Sequence, residues 1–177
     1  MTTKNNFEDN PQIELVDISS IKPYENNPRK HSTKQIQQIA NSISEFGFIN
    51  SGVVDNKNVL LAGHGRYEAL KLLGKTKMPV TRVDYLTEAQ IKAYRIADNK
   101  IPENAEWDDG LLKIELSELS ELALVNDFEI EVTGYEMAEI DLIIGGDDSP
   151  PDDDPLDNTP EPDEDNIVTQ AGDVWQV

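Results

Sequence analysis

Residues 60–74 of this 177-residue chain read LLAGHGRYEALKLLG, and the rest of the chain is arranged around this stretch. It continues a short apolar run from Val59 to Ala62, which is typical of a buried strand. From Tyr67 the apolar residues recur at helical spacing until Gly74, a residue suited to end a helix. The stretch therefore predicts a strand, a glycine-rich turn and a helix in immediate succession.

The turn between that strand and that helix is a candidate anion site. Gly63 and Gly65 flank the predicted helix start, where glycine lets the backbone approach a ligand closely. The first N–H groups of the helix point into the same space, with the positive end of the helix dipole behind them. Arg66 adds a fork of donors suited to phosphate or carboxylate. Taken alone, a Gly-x-Gly turn more often marks a tight connection than a phosphate site.

The segment upstream adds three features in a fixed order. Residues 18–29 read ISSIKPYENNPR, so the end of an Ile-rich strand is followed by a loop that closes on Pro-Arg. A helix capped by Ser32 or Thr33 comes next, with one apolar face. That helix is predicted to stop at Gly47.

This order resembles the ParB and sulfiredoxin superfamily, whose pattern is an Ile-rich strand, a Pro-Arg loop, a helix ending in Ser-Ile-x-x-x-Gly, and a glycine-arginine box. The resemblance covers roughly Ile13 to Asn104. Within the superfamily, the chain is most similar to the ParB-like domain that precedes the catalytic domain in phage and bacterial DNA adenine or cytosine methyltransferases. There, Ala-Gly-His-Gly-Arg and a later Ala-Asp-Asn are typical, as at residues 62–66 and 97–99 here.

The remaining periodicity predicts an α+β fold, a small mixed sheet with helices packed around it and not a doubly wound Rossmann sheet. Further strands are predicted at Ile13–Asp17, at Val53-Val54 and in the run Met78–Tyr85. Further helices are predicted from Thr87 to about Asn99, from Asp108 to Leu122, and from Met137 to Ile144.

The formal charge of −20 is distributed unevenly along the chain. Residues 1–113 hold all 15 Lys and Arg together with 15 acidic residues, whereas residues 114–177 hold 20 acidic residues and no Lys or Arg. Ten of these lie between Asp147 and Asp165, among prolines and almost no apolar residues. Such a segment cannot offset its ordering entropy by burial, so we expect it to be a disordered linker.

Composition and resemblance together predict five parts. Residues 167–177 include Gly-Asp-x-Trp, which in the methyltransferases that the chain resembles opens the catalytic domain, so we expect the chain to be cut there. The predicted parts are a disordered tail (1–12), a ParB-like domain (13–104), a helical extension (105–144), an acidic disordered linker (145–166) and the start of a truncated domain (167–177).

The resemblance implies a nucleotide site that includes the glycine box, which in this chain is Gly63-His64-Gly65-Arg66. Pro28-Arg29 corresponds to a loop near the bound nucleotide, although such an arginine is most often solvated. Asp98-Asn99 matches a pair that contacts phosphate and magnesium in ParB proteins that bind CTP, although it also serves as a plain helix end. The resemblance thus implies a nucleoside triphosphate with Mg²⁺ as the ligand. We expect Lys22, Lys30 and Lys34 to add weak, salt-dependent contacts to the DNA backbone.

His64 is the residue at which the chain differs from the two families that it resembles. The box of ParB is Gly-Glu-Arg-Arg, in which the glutamate assists nucleotide hydrolysis, and that of sulfiredoxin is Gly-Cys-His-Arg, in which the cysteine is the nucleophile. The present chain has no cysteine, which excludes sulfiredoxin chemistry, and its box has no glutamate. His64 could act as a general base, but a histidine there more often donates to a carbonyl. His31 and His64, with no acidic ligand spacing, give no signal of a metal site.

Other features limit the function classes. Ser149-Pro150-Pro151-Asp152 lacks the aromatic residue that stacks on a flipped base in amino-methyltransferases, and no glycine-rich S-adenosylmethionine loop follows a strand. We therefore expect S-adenosylmethionine to bind only to a downstream domain. No run of eighteen apolar residues and no cysteine occurs, so we expect a cytoplasmic protein without membrane contact.

Two functions stay open on the sequence. The preferred one is a nucleotide- or DNA-binding module, compatible with a homodimer, that is attached to a DNA methyltransferase and itself lacks the methyl-transfer machinery. The alternative is an independent enzyme of the same fold: a nucleoside triphosphate hydrolase, a small-molecule kinase or a nuclease.

Overall fold

The structure is a computed structural model that describes residues 12–126 and 128–146. Internal contacts divide the chain into two units, Met1–Ile144 and Gly145–Val177. The predicted tail, acidic linker and truncated domain lie almost wholly outside the described residues, so those three remain predictions.

Four strands form one small mixed sheet in the order β1-β4-β2-β3. β1 runs antiparallel to β4, β4 runs parallel to β2, and β2 runs antiparallel to β3. The predicted small mixed sheet is therefore confirmed. The strands are β1 (Ile13–Asp17), β2 (Gly52–Val54), β3 (Leu60–Ala62) and β4 (Lys77–Arg82).

The described residues form five α-helices, of which three pack with the sheet and two lie outside it. Three of the helices are capped at the N-terminus by a side chain that lies three residues from the N–H it accepts from. Ser32 accepts from the Gln35 N–H, and Thr87 and Gln90 form a reciprocal capping box. Asp108 likewise accepts from the Leu111 N–H. The helices are α1 (Thr33–Phe46), α2 (His64–Leu72), α3 (Glu88–Lys100), α4 (Asp109–Val125) and α5 (Met137–Gly145).

The apolar side chains of the first unit form two separate clusters. The first lies between the sheet and α2, where Val54, Leu60 and Met78 are completely buried. The second is smaller and is built from Leu116 and Ile140, together with Ile130 in a short 3₁₀ helix. We call residues 12–104 the sheet half and residues 109–144 the helical half. α1 links them, because Gln38 donates to the Gly134 carbonyl and Lys34 pairs with Glu136.

The structure places several element ends one to three residues from their predicted positions, and α4 for example ends at Val125 where Leu122 was predicted. α2 begins at His64, so Gly63 is the residue before the helix and Gly65 lies inside its first turn. α3 continues one residue past Asn99 and passes directly into a 3₁₀ helix, Ile101–Asn104. The run Met78–Tyr85, which was predicted to be a strand, forms a strand only as far as Arg82. No helix within the described residues has the length and apolar character needed to cross a membrane.

Candidate functional site

A cleft of about 380 Å³ opens beside the start of α2. Its walls come from the loop before α1, from the turn between β3 and α2, and from the end of α3 with the 3₁₀ helix that follows. The fold thus brings together segments from three distant parts of the chain. Seven predicted site residues line this cleft: Arg29, Gly63, His64, Gly65, Arg66, Asp98 and Asn99. The eighth, Pro28, lines a neighbouring opening.

Gly63 occupies a backbone conformation and a space that together require glycine. Its φ of 92° is left-handed, and a Cβ there would lie 3.2 Å from the Gly52 Cα and 3.3 Å from the Arg66 Nε. As the residue preceding α2, Gly63 also offers no side chain to accept from the first N–H groups of the helix. These donors, which have no acceptor within the helix, are therefore available to a ligand.

Gly65 has a role that differs from the predicted close approach to a ligand. A Cβ there would lie 2.9 Å from the Ile39 side chain and 3.2 Å from the His31 ring. Gly65 is buried, and its missing side chain makes room for α1 and the loop before it to pack on α2. The second glycine of the box thus serves helix packing, which sequence pattern alone did not reveal.

Arg66 lines the cleft with a guanidinium that is incompletely hydrogen-bonded. Its Nη2 donates to the Ser51 carbonyl at 3.5 Å, whereas its Nε is buried and has no hydrogen-bond partner among the described residues. A buried donor left unpaired costs about 1–3 kcal/mol, so the arginine gains from any acceptor that enters. Together with the adjacent helix N-terminus, this orphaned donor fits the charge of a phosphate group.

The loop before α1 holds the His64 ring in its neutral form. The Tyr24 backbone N–H donates to the His64 Nε2 at 3.3 Å, so this nitrogen carries the lone pair and Nδ1 carries the proton. Burial lowers the pKa of His64, and the neighbouring His31 and Arg95 lower it further. With its lone pair engaged, the ring can position the loop and donate from Nδ1, but it has no free nitrogen to act as a base.

Arg29 is anchored to the end of α3 by two contacts. Its Nη1 donates to the Asn99 carbonyl at 3.1 Å and to the Glu103 carboxylate at 3.0 Å. Glu103 also pairs with Lys100 at 3.3 Å. Sequence analysis did not single out Glu103, although it lies four residues after Asn99 in the same polar segment. An anion that binds Arg29 must therefore compete with a carboxylate that is already in place.

Asp98 and Asn99 project their polar groups at this end of α3. The Tyr94 hydroxyl donates to Asp98 at 3.3 Å, and burial together with Asp98 raises the pKa of Tyr94. The Asn99 amide donates to the Arg95 carbonyl at 2.7 Å, which directs its oxygen away from that bond. A carboxylate and an amide oxygen are ligands that Mg²⁺ accepts. Among residues 12–126 and 128–146, no group of three or more His, Asp or Glu could hold a metal ion alone.

The three lysines predicted to contact DNA lie outside the cleft. The backbone of Lys22 pairs with Val59 beside β3, which leaves its side chain exposed. Lys30 is exposed in the loop before α1. Lys34 pairs with Glu136 of the helical half, and this carboxylate raises the pKa of the lysine. Of the three, Lys34 is thus already neutralised by an acidic partner.

Comparison with known proteins gives two matches to family models. A model described as the ParB N-terminal domain matches residues 2–99, and one described as a ParB-methyltransferase HTH domain matches residues 110–171. The second match extends from the helical half across the segment predicted to be a linker. Its part beyond residue 146 lies outside the described residues.

Two curated relatives differ in how much of their length the chain covers. The ParB-like nuclease domain-containing protein YnaK of Escherichia coli K12 is 38% identical over 73 residues, which is 41% of this chain and 84% of YnaK. The probable chromosome-partitioning protein ParB of Rickettsia typhi is 38% identical over 69 residues, 38% of this chain and 24% of that protein. The chain thus spans only about a quarter of the partitioning protein.

A solved structure resembles this chain over most of its length. The C-terminally truncated partitioning protein ParB from Caulobacter crescentus, complexed with CTP-γ-S, superposes with a TM-score of 0.57. It is 19% identical, and the match covers 75% of this chain and 77% of the other. At this identity the likeness concerns the fold, and it confirms the predicted ParB-like α+β architecture.

Proposed function

The chain belongs to the family of ParB N-terminal domains, and on that premise we propose that it binds a nucleoside triphosphate in the cleft beside α2. The observation that carries the proposal is the buried, unpaired Nε of Arg66 next to the N-terminus of α2. A phosphate there would accept from the guanidinium and from the first helical N–H groups together. The Caulobacter protein of similar fold was solved with a CTP analogue, which supports this choice of ligand.

The opposite wall suits the cation that accompanies a triphosphate. Asp98 and the Asn99 amide oxygen would hold Mg²⁺, which usually binds through one or two protein oxygens together with phosphate oxygens. The bound ion would neutralise charge on the phosphates and offset repulsion from Asp98 and Glu103. This chain's part is to place a carboxylate and an amide at one end of α3, and the Arg66 guanidinium at the start of α2.

Within a cell we propose that this module serves a DNA-modification enzyme. The match of residues 110–171 to a ParB-methyltransferase HTH domain supports attachment to a DNA methyltransferase. The sequence itself offers no aromatic base clamp after Pro150-Pro151 and no S-adenosylmethionine loop. The module would therefore sense a nucleotide and touch DNA, while a separate domain transfers the methyl group.

Contact with DNA would come from the sheet half. Residues 110–171 contain 19 acidic residues and one basic residue, Lys113. DNA affinity depends on cations that displace counterions from phosphates, and a segment of this charge repels the backbone. Exposed cations of the sheet half, such as Lys22 and Lys30, would instead meet phosphates without reading base edges.

Calorimetric titration with each nucleoside triphosphate and Mg²⁺ tests the nucleotide site. Arg66→Ala should weaken binding by about 1.5–3 kcal/mol, the range for a hydrogen bond to a charged group. Lys71→Ala is the matched control, because Lys71 lies on the same helix but pairs with Glu68 outside the cleft. Unchanged affinity in Arg66→Ala, or an equal loss in both variants, would sink the assignment.

Phosphate release separates this binding function from the alternative of a nucleotide hydrolase. The box has no glutamate, and the His64 lone pair is engaged by Tyr24, so we expect no release above the rate in buffer. Release that depends on Mg²⁺ and disappears in His64→Gln would instead favour the enzyme.

A further inference from the structure

Arg95 carries a charge that is almost completely buried. It lies on α3 and is 7% exposed. In the part of the chain that the structure describes, no carboxylate forms an ion pair with it, and its Nε has no hydrogen-bond partner. Its guanidinium carbon lies 3.6 Å from the centroid of the Tyr24 ring. Arg95 is thus stacked but not paired.

Stacking alone does not balance the burial of this charge. Burying an unpaired ion costs several kcal/mol, whereas a cation–π contact returns about 0.5–2 kcal/mol. The Tyr24 ring covers one face of the guanidinium, and the N–H donors lie along its edge. The N–H groups along this edge therefore remain available to an oxyanion, while the stacked Tyr24 ring fixes the orientation of the guanidinium plane.

Arg95 lines an opening that adjoins the cleft beside α2, and an anion bound in the cleft would reach Arg95 through it. The opening has a volume of about 240 Å³ and is also lined by Pro28. Three further residues of that opening, Arg29, Asn99 and Glu103, also line the cleft beside α2. The Arg29–Glu103 ion pair thus belongs to both spaces, at their common boundary.

Tyr24 contacts one residue of each space, Arg95 of the opening and His64 of the cleft. Its ring lies under Arg95, and its backbone N–H donates to His64 at the start of α2. The backbone of the neighbouring Lys22 is bonded to both Asn58 and Leu60 at 2.8 Å, which fixes this loop beside β3. The position of Arg95 relative to the α2 N-terminus is therefore set by a chain of direct contacts, not by a free loop.

We propose that Arg95 is a further anion-binding residue of the site and takes the terminal phosphate of a nucleoside triphosphate whose other phosphates lie at Gly63–Arg66. The proposal rests on the nucleotide function proposed above and assigns a residue to one phosphate of that ligand. A single phosphate cannot occupy both spaces, whereas an extended polyphosphate can reach across their shared boundary. Entry of the terminal phosphate separates Arg29 from Glu103 and gives both arginines an oxyanion partner.

The test compares the mono-, di- and triphosphate of one nucleoside, each with Mg²⁺, on the full chain. Arg95→Met keeps the apolar stem and removes the charge; it should weaken triphosphate binding about 10- to 100-fold, the loss of a hydrogen bond to a charged group. Monophosphate binding should change less than about twofold, within the range of a surface substitution. Lys92→Met is the control, since Lys92 lies exposed on the same helix and pairs with Glu88.

Three results would overturn the proposal. If Arg95→Met weakens all three nucleotides equally, Arg95 acts only by holding the Tyr24 loop. If it weakens none, Arg95 contacts no phosphate. If the unaltered chain binds no nucleotide at all, the proposed function fails together with this inference. Should Arg95→Met fail to fold, Arg95→Lys permits the same comparison, because it keeps the charge but loses the planar fork.

Discussion

The sheet half and the helical half differ in how much they bury and in their charge. Both halves expose some large apolar side chains, but the sheet half also buries several completely, Leu60 and Met78 among them, and it buries Arg95. The helical half has a small cluster around Leu116 and leaves others in solvent, with Leu124 88% exposed. Charge divides them as well, because no Lys or Arg follows Lys113. Unpaired cations in a packed frame favour a ligand site, whereas exposed apolar and acidic side chains do not favour DNA contact.

The largest effect should come from truncating matched leucines in the two halves. Leu60→Ala should lower the free energy of unfolding by about 2–5 kcal/mol, because the side chain is completely buried. Leu124→Ala should change it by less than about 0.5 kcal/mol, since that side chain makes little contact. Denaturant titration of both variants measures the difference. Equal losses would mean that α4 is packed much more tightly than described.

Two lysines sharpen the electrostatic side of the comparison. Lys30 is exposed and forms no ion pair among the described residues, whereas Lys34 is paired with Glu136 of the helical half. Lys30→Ala should reduce the slope of log affinity against log salt for duplex DNA by about 1, the value for one phosphate contact. Lys34→Ala should reduce it less. A larger change for Lys34→Ala would show that Glu136 releases this lysine to DNA.

The neutral state of His64 predicts a pH dependence that is specific to the sheet half. Its pKa is lower in the folded chain than the ordinary value of 6.5, so the unfolded chain binds more protons as the pH falls. Its contribution to stability is complete above pH 6.5 and declines as the pH drops through the lowered folded pKa. His64→Gln can still accept from Tyr24 but does not titrate.

The measurement is the difference in melting temperature between the two proteins from pH 7.5 to 5. The unaltered chain should lose more stability than His64→Gln over this interval, while carboxylates contribute equally to both. Parallel curves would contradict the buried, neutral assignment of His64.

The smallest effect should follow removal of residues 147–177. Residues 147–166 have a low apolar content and an excess of carboxylates, and residues 167–177 are predicted to begin another domain, so neither part should contribute to either cluster. The melting temperature of the chain truncated after Gly146 should stay within about 2 °C of the full chain, the shift expected of a small change in free energy. A large decrease would show that this segment packs against the folded unit, and it would refute the predicted linker.

The parts that sequence predicted are those with a local cause. The strand, turn and helix around Gly63 follow from hydrophobic period and glycine, and Ser32 and Thr87 cap helices through residues three positions away. The grouping of Arg29, Arg66 and Asp98 in one cleft came from family resemblance, and the structure does bring them together.

The rest depends on contacts between distant residues, which leave no periodic trace. Arg29 and Glu103 are 74 positions apart, and Tyr24 meets both His64 and Arg95 from another segment. Gly65 lines the cleft, but its additional packing role could not be predicted, because only the folded position of Ile39 reveals it. Such pairings are set by the order of the strands, which local pattern does not determine.

Amide hydrogen exchange with and without a nucleoside triphosphate and Mg²⁺ tests directly whether the sheet half holds the nucleotide. Binding slows exchange at the groups that the ligand orders. We predict slower exchange at residues 22–31, 63–66 and 98–103, and unchanged exchange across residues 109–144. Protection confined to residues 109–144, or none at saturating nucleotide, would contradict the account.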